Sequence, residues 1–249
     1  MFVEFWVALQ FLTTFPTPTL HDLPEDAWGR SMACFPLVGL VLGGCLVIAQ
    51  AALSLLWPAP VVAALVLGLW VVLTGALHLD GLADCCDGLL VARPPEDRLR
   101  ILKDTHVGTF GMVGVVVLLL VKFACLLADN GSPATLTTAL FVAPVVSRWA
   151  MVYATVSYPY GRQGSSLGNT FAAHVTRRSL WVSSLLAVLS GVLLGGWFGL
   201  AALFLVWVLQ YGIACWTMTR IPGLTGDVYG AINEVCEVAV LLLAVAWGA

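Results

Sequence analysis

The chain has 249 residues, of which 60% are hydrophobic and only 10% charged, with a formal net charge of −3. A soluble domain carries about 25% charged residues, so this composition excludes a water-soluble fold, and the acidic balance excludes nucleic acid as a partner. Seven cysteines, an odd number with no Cys-x-x-Cys pair, read as small buried hydrophobes in a reducing compartment rather than as a disulfide framework.

In chain order, the first 15 residues are amphipathic and stop at Pro16 and Pro18. With no basic run and no small-residue cleavage site they do not read as a signal peptide, and they are expected in the membrane interface or packed on the bundle. A bilayer core needs about 20 apolar residues in a helix. Runs of that kind fall at 36–56, 61–77, 111–128, 135–156, 180–194, 198–218 and 236–248. They predict an all-α polytopic bundle of about seven transmembrane helices, residues 1–249 forming a single membrane domain. The glycine-rich stretch from Gly191 to Gly199 could bend a longer hairpin instead of separating two clean spans.

The basic residues sort the loops. Loop 78–110 holds Arg93, Arg98, Arg100 and Lys103; loop 157–179 holds Arg162, Arg177 and Arg178; Arg220 opens loop 219–235; Arg30 precedes the first span. The alternate loops, Trp57–Pro60, Asp129–Pro133 and Gly195–Trp197, contain no Lys or Arg. The positive-inside rule therefore places the basic loops in the cytoplasm. The carboxylate clusters lie on that same side, so the three loops are the expected catalytic surface of a multi-pass protein of a bacterial or archaeal-type cytoplasmic membrane. Inside the spans stand two cations, Lys122 and Arg148, each suited to an acidic headgroup, a phosphate or a structural carboxylate.

The sharpest motif runs His78-Leu79-Asp80-Gly81-Leu82-Ala83-Asp84-Cys85-Cys86-Asp87-Gly88. On a helix, aspartates at i, i+4 and i+7 fall within about 60° of one another. Three like charges on one face repel, and a divalent cation offsets that repulsion. All-oxygen ligands suit Mg²⁺ or Mn²⁺, and no thiolate–imidazole set resembles a zinc site. Asp80, Asp84 and Asp87 are thus candidate metal and catalytic residues. His78 points about 160° away from Asp80 on a continuous helix; it is a candidate base or hydrogen-bonding group, or an ordinary interfacial histidine.

Three further segments suit phosphate. Lys103-Asp104-Thr105-His106-Val107-Gly108 precedes a span and can present Lys103, Asp104 and backbone N–H groups around Gly108. The stretch Gly161 to Asn169 adds Arg162, glycines and hydroxyls, as a phosphate loop or a flexible connector. Thr225-Gly226-Asp227, followed by Glu234 and Glu237, is either a helix cap or a second acidic shell, in which Asp227 would join the metal and Thr225 and Glu234 the substrate. No Walker-type phosphate loop is present, which argues against ATP hydrolysis.

These motifs together resemble the cobalamin synthase family, adenosylcobinamide-GDP ribazoletransferases. The resemblance rests on Phe11-Leu12-Thr13-Thr14-Phe15-Pro16-Thr17-Pro18, Phe35-Pro36-Leu37-Val38-Gly39, His78 to Gly88, Lys103 to Gly111, Ser147-Arg148 and Thr225 to Ala231. Cys85 departs from the pattern, where a threonine is more usual. The resemblance implies a Mg²⁺-dependent membrane enzyme. It would join α-ribazole or its 5′-phosphate to adenosylcobinamide-GDP, giving adenosylcobalamin or its 5′-phosphate and GMP. A CDP-alcohol phosphotransferase-like lipid enzyme also uses spaced aspartates, but its motif continues Asp-Gly-x-x-Ala-Arg, whereas Asp87-Gly88 here leads to Leu89-Leu90-Val91-Ala92-Arg93. A transporter is the third alternative, disfavoured by the one-sided acids.

Overall fold

The structure is a computed structural model and describes residues 2–20, 23–128, 133–162 and 166–247. His21, Asp129 and residues 163–165 of loop 157–179 lie outside the described residues. Helices account for nearly all regular structure: α1 (Phe2–Leu12), α2 (Asp26–Ser31), a 3₁₀ turn (Met32–Cys34), α3 (Phe35–Leu53), α4 (Ala59–Leu73), α5 (Leu77–Leu89), α6 (Pro95–Ile101), α7 (Thr109–Leu127), α8 (Pro133–Ser157), α9 (Leu167–His174), α10 (Arg177–Met218) and α11 (Gly226–Trp247). An all-α polytopic membrane protein is what the apolar runs predict. The lipid-facing side chains are large and apolar, among them Leu120, Leu193 and Trp197, each more than half exposed.

Among the described residues, five helices are long and apolar enough to cross a membrane, and six when α4 and α5 are taken as one bent span. The 42 residues of α10 form two arms rather than one rod. A rod would be about 63 Å long, twice a hydrocarbon core. At Gly196 the backbone leaves the helical region (φ 53°, ψ −126°), a conformation glycine adopts without strain. The arms then fold back: a β-carbon at Gly199 would collide with the Gly191 carbonyl group. Only glycine permits that approach, and with the arms separated the count reaches the seven expected.

Two boundaries differ from the sequence expectation. The second span ends at Leu73, and Gly75 and Ala76 take left-handed backbone (φ 59° and 55°), turning α5 by 88° from α4. The aspartate motif therefore sits on its own helix instead of capping the span. The last span begins at Gly226, so the expected loop 219–235 is half helix. Glu234 and Glu237 are buried inside the bundle, at 3% and 0% exposure.

Those two glutamates answer the cations of the spans. Lys122 Nζ lies 2.7 Å from Glu234 Oε2 and 2.6 Å from Glu237 Oε2, and Arg148 Nη1 donates to Glu237 Oε1. Asn233 donates to the same carboxylate at 3.2 Å, and the Trp70 ring lies 4.7 Å from Lys122 Nζ. Two positive and two negative charges thus tie α7, α8 and α11 together, with α4 stacked on the ammonium. An unpaired charge at that depth costs several kcal/mol, so each of the four needs the others.

α1 packs on the bundle, burying Val7, Ala8, Leu9 and Leu12. Helix α5 is wedged between α7 and α11 through small residues. A β-carbon at Gly81 would lie 2.8 Å from the Asp227 carbonyl oxygen, and one at Gly230 would lie 3.2 Å from that of His78. Small residues at a crossing let helix backbones approach closely. Here the closeness sets Asp227 beside the aspartates of α5.

Candidate active site

Asp80, Asp84 and Asp227 form one acidic edge. Asp80 is exposed and Asp84 half-buried, one helical turn apart on α5. Asp84 lies within electrostatic reach of both Asp80 and Asp227, and Asp227 in turn feels Asp80. Arg162 is the cation of the edge. Its Nη2 donates to Asp227 Oδ2 at 2.5 Å and to the Leu102 carbonyl at 2.6 Å. Thr225 Oγ1 donates to the same Asp227 oxygen at 3.2 Å. Backbone bonds align the loops: Gly161 N donates to Leu224 O at 2.7 Å, and Leu224 N to Pro159 O at 2.9 Å. The three loops singled out by charge therefore meet, and Arg162 is the side chain that touches the other two.

Asp87 has a different place. Its Oδ2 accepts from Gly108 N at 2.7 Å and its Oδ1 from Gly111 N at 2.9 Å. Both oxygens cap the first turn of α7, where free N–H groups and the helix dipole favour a carboxylate. Gly108 thereby binds Asp87 rather than presenting its N–H to a phosphate. Arg98, from α6, caps the other end of the motif by donating to the Leu89 carbonyl at 2.7 Å.

Other candidates stand apart from the edge. Lys103 and Asp104 are exposed. Asp104 is satisfied locally by the His106 ring at 2.7 Å and the His106 N–H at 3.0 Å, bonds that hold its carboxyl below the usual range. Arg148 and Glu234, expected at the substrate, are internal partners of the buried ion network, with no exposed surface to offer. His78 is 2% exposed and lies within electrostatic reach of Arg148, Glu237 and Lys122. Cys85 is buried and Cys86 lies against Gly114; all seven cysteines are free thiols. Glu237 is the residue the sequence reading undervalued: an acid four positions from Asn233 and opposite two lone cations in spans was the available signal.

Among the described residues, no three His, Cys, Asp or Glu side chains converge on one metal position. The donor chemistry of the edge nevertheless fits a hard divalent ion. Three carboxylates with one arginine leave excess negative charge, and every donor is oxygen.

The model of the cobalamin-5-phosphate synthase family matches residues 4–245. The adenosylcobinamide-GDP ribazoletransferase of Roseiflexus sp. (strain RS-1) is 38% identical over 94% of this chain and 86% of its own. The proteins of that name from Desulfitobacterium hafniense (strain Y51) and Pseudomonas putida (strain W619) are 40% and 41% identical, each over 96% of this chain and 95% and 97% of theirs. No solved structure matches the chain. With the match running through α1 to α11 and including the acidic edge, the chain belongs to the cobalamin-5-phosphate synthase family.

Proposed function

We propose that this protein transfers the cobinamide-bearing phosphoryl group of adenosylcobinamide-GDP to a ribose hydroxyl of α-ribazole or its 5′-phosphate, releasing GMP with Mg²⁺ as the required ion. The observation that carries the reading is the joining of Asp80, Asp84 and Asp227 on one edge, with Arg162 drawn in from loop 157–179. In the reaction a new P–O bond forms to the ribose oxygen, the pyrophosphate P–O bond breaks, and GMP takes the bridging oxygen. Bound Mg²⁺ would supply charge neutralisation on the phosphate oxygens, drawing its protein ligands from among Asp80, Asp84 and Asp227 and the rest from the substrate phosphates and water. Asp87 supports that set from behind by fixing α7 against α5.

Arg162 has two tasks. Its guanidinium orients Asp227, and its planar fork suits the oxygens of a pyrophosphate. Asp80, the exposed acid, is positioned to take the proton of the attacking hydroxyl. The excess of basic residues in these loops supports a cytoplasmic placement of the edge, where water-soluble nucleotide substrates arrive. The buried Lys122, Arg148, Glu234 and Glu237 neutralise one another, and the described residues show no charged path across the bundle, which favours an enzyme over a transporter.

The test is GMP release by purified protein in lipid. Release that requires adenosylcobinamide-GDP, α-ribazole or its phosphate, and Mg²⁺ together supports the proposal. Turnover of CDP-diacylglycerol with a small alcohol, and none with the cobinamide substrate, refutes it.

A further inference from the structure

Beside the acidic edge lies a cavity of about 220 Å³, walled by α1, α3, α5, α8, α9 and α11. Its α5 wall is the Leu77–Gly81 face, with Asp80 at one margin and His78 at the other. That face lies between the directions of the two side chains, so residues about 160° apart on the helix border one space. Opposite stand three phenylalanines from separate elements. Phe11 and Phe171 have ring centroids 4.7 Å apart, and Phe35 and Phe171 5.9 Å apart. Asp227 reaches the same cavity from α11.

His78 supplies an independent sign of a ligand. It is 2% exposed, yet neither Nδ1 nor Nε2 has a hydrogen-bond partner. A buried polar group without a partner is costly, and an imidazole carries at least one N–H donor in either protonation state. The cavity therefore combines flat aromatic walls, one unanswered donor and acceptor, and an exit to carboxylates. A space of about 150 Å³ lined by apolar side chains takes a benzene ring, so this one has room for a two-ring heterocycle.

We propose that this cavity is the subsite for the heterocyclic base of the ribazole substrate, with His78 hydrogen-bonded to the base's free ring nitrogen. The inference rests on the proposed function. The base of α-ribazole is 5,6-dimethylbenzimidazole: planar, methylated on its outer edge, with one ring nitrogen left to accept once the other carries the ribose. Its apolar body matches Phe11, Phe35 and Phe171, where aromatic pairs gain from offset or edge-on contact. With the base seated there, the attached ribose emerges at the Asp80 and Asp227 margin, where the proposed chemistry needs its hydroxyl. This gives α1 a role as a wall of the substrate site.

The test uses the full chain in lipid nanodiscs. Free 5,6-dimethylbenzimidazole should inhibit competitively against α-ribazole and not against adenosylcobinamide-GDP. His78→Asn and Phe171→Leu should each raise the KM for α-ribazole about tenfold, the factor of one lost hydrogen bond or ring contact, and leave the KM for adenosylcobinamide-GDP unchanged. In a preparation that turns over, a free base that does not inhibit, or that competes with the cobinamide substrate, overturns the subsite. If the preparation turns over neither substrate, the proposed function fails instead. Calorimetry with the free base then still reads the cavity: binding weakened by Phe171→Leu supports it, and no binding overturns it.

Discussion

One nitrogen of Arg162 donates to both the Asp227 carboxylate and the Leu102 carbonyl, at 2.5 Å and 2.6 Å. That nitrogen binds the loop after α8 to the first turn of α11 and to the end of α6. Lysine ends in a compact ammonium on a flexible stem, without the rigid planar group that carries this nitrogen to both acceptors. Arg162→Lys should lower kcat/KM by roughly tenfold to a hundredfold, the loss of one charge-assisted bond and its geometry, while the thermal unfolding midpoint stays near wild type. Unchanged kinetics would remove Arg162 from the site.

Asp87 and Asp84 are expected to separate. Asp87→Asn should weaken the α7 cap by about 1 kcal/mol, read as a lower unfolding midpoint, with the Mg²⁺ requirement unaltered. Asp84→Asn should fold and insert normally but lose most turnover and need far more Mg²⁺ for what remains. Identical metal dependence in the two variants contradicts the division of roles.

Glu237→Gln should be the most destabilising single change in the bundle. It strips a partner from both Lys122 and Arg148, and breaking a buried pair costs about 3–5 kcal/mol. Thermal unfolding in detergent measures it. The double variant Arg148→Met with Glu237→Gln should recover part of the loss, because one unpaired cation is removed with its partner; a double variant less stable than either single one contradicts the network.

Much of this was legible in the sequence because membrane solvation is a coarse filter. Apolar runs locate spans, and basic residues sort the loops. The i, i+4, i+7 aspartates did fall on one helix, and the three charged loops do meet. The rest failed for physical reasons. Glu234 and Glu237 lower the local hydropathy of α11, so an apolar-run reading clips its first ten residues and mistakes buried ion partners for a substrate shell. Asp87 looks like its neighbours by spacing, and only the approach of Gly108 and Gly111 reveals a helix cap. The left-handed turn at Gly75 and Ala76 detaches α5 from α4, which no periodicity announces.

Topology is open to direct labelling. Single cysteines introduced beside Arg98 and beside Gly195 should react with a membrane-impermeant thiol reagent from opposite sides, the first from the cytoplasm. The fold-back of α10 at Gly196 puts the second at the far end of the bundle. Labelling of both from one side contradicts the arrangement.

The Asp80, Asp84 and Asp227 edge is proposed to perform metal-assisted phosphoryl transfer. Its most direct test is the rate of GMP release from adenosylcobinamide-GDP and α-ribazole, titrated with Mg²⁺, in the wild type and in the three single Asp→Asn variants. A Mg²⁺-dependent rate is expected in the wild type and a loss of roughly a hundredfold or more in Asp84→Asn, the scale of several kcal/mol of lost charge stabilisation. Wild-type rates in all three variants, or full release without divalent metal, would contradict it.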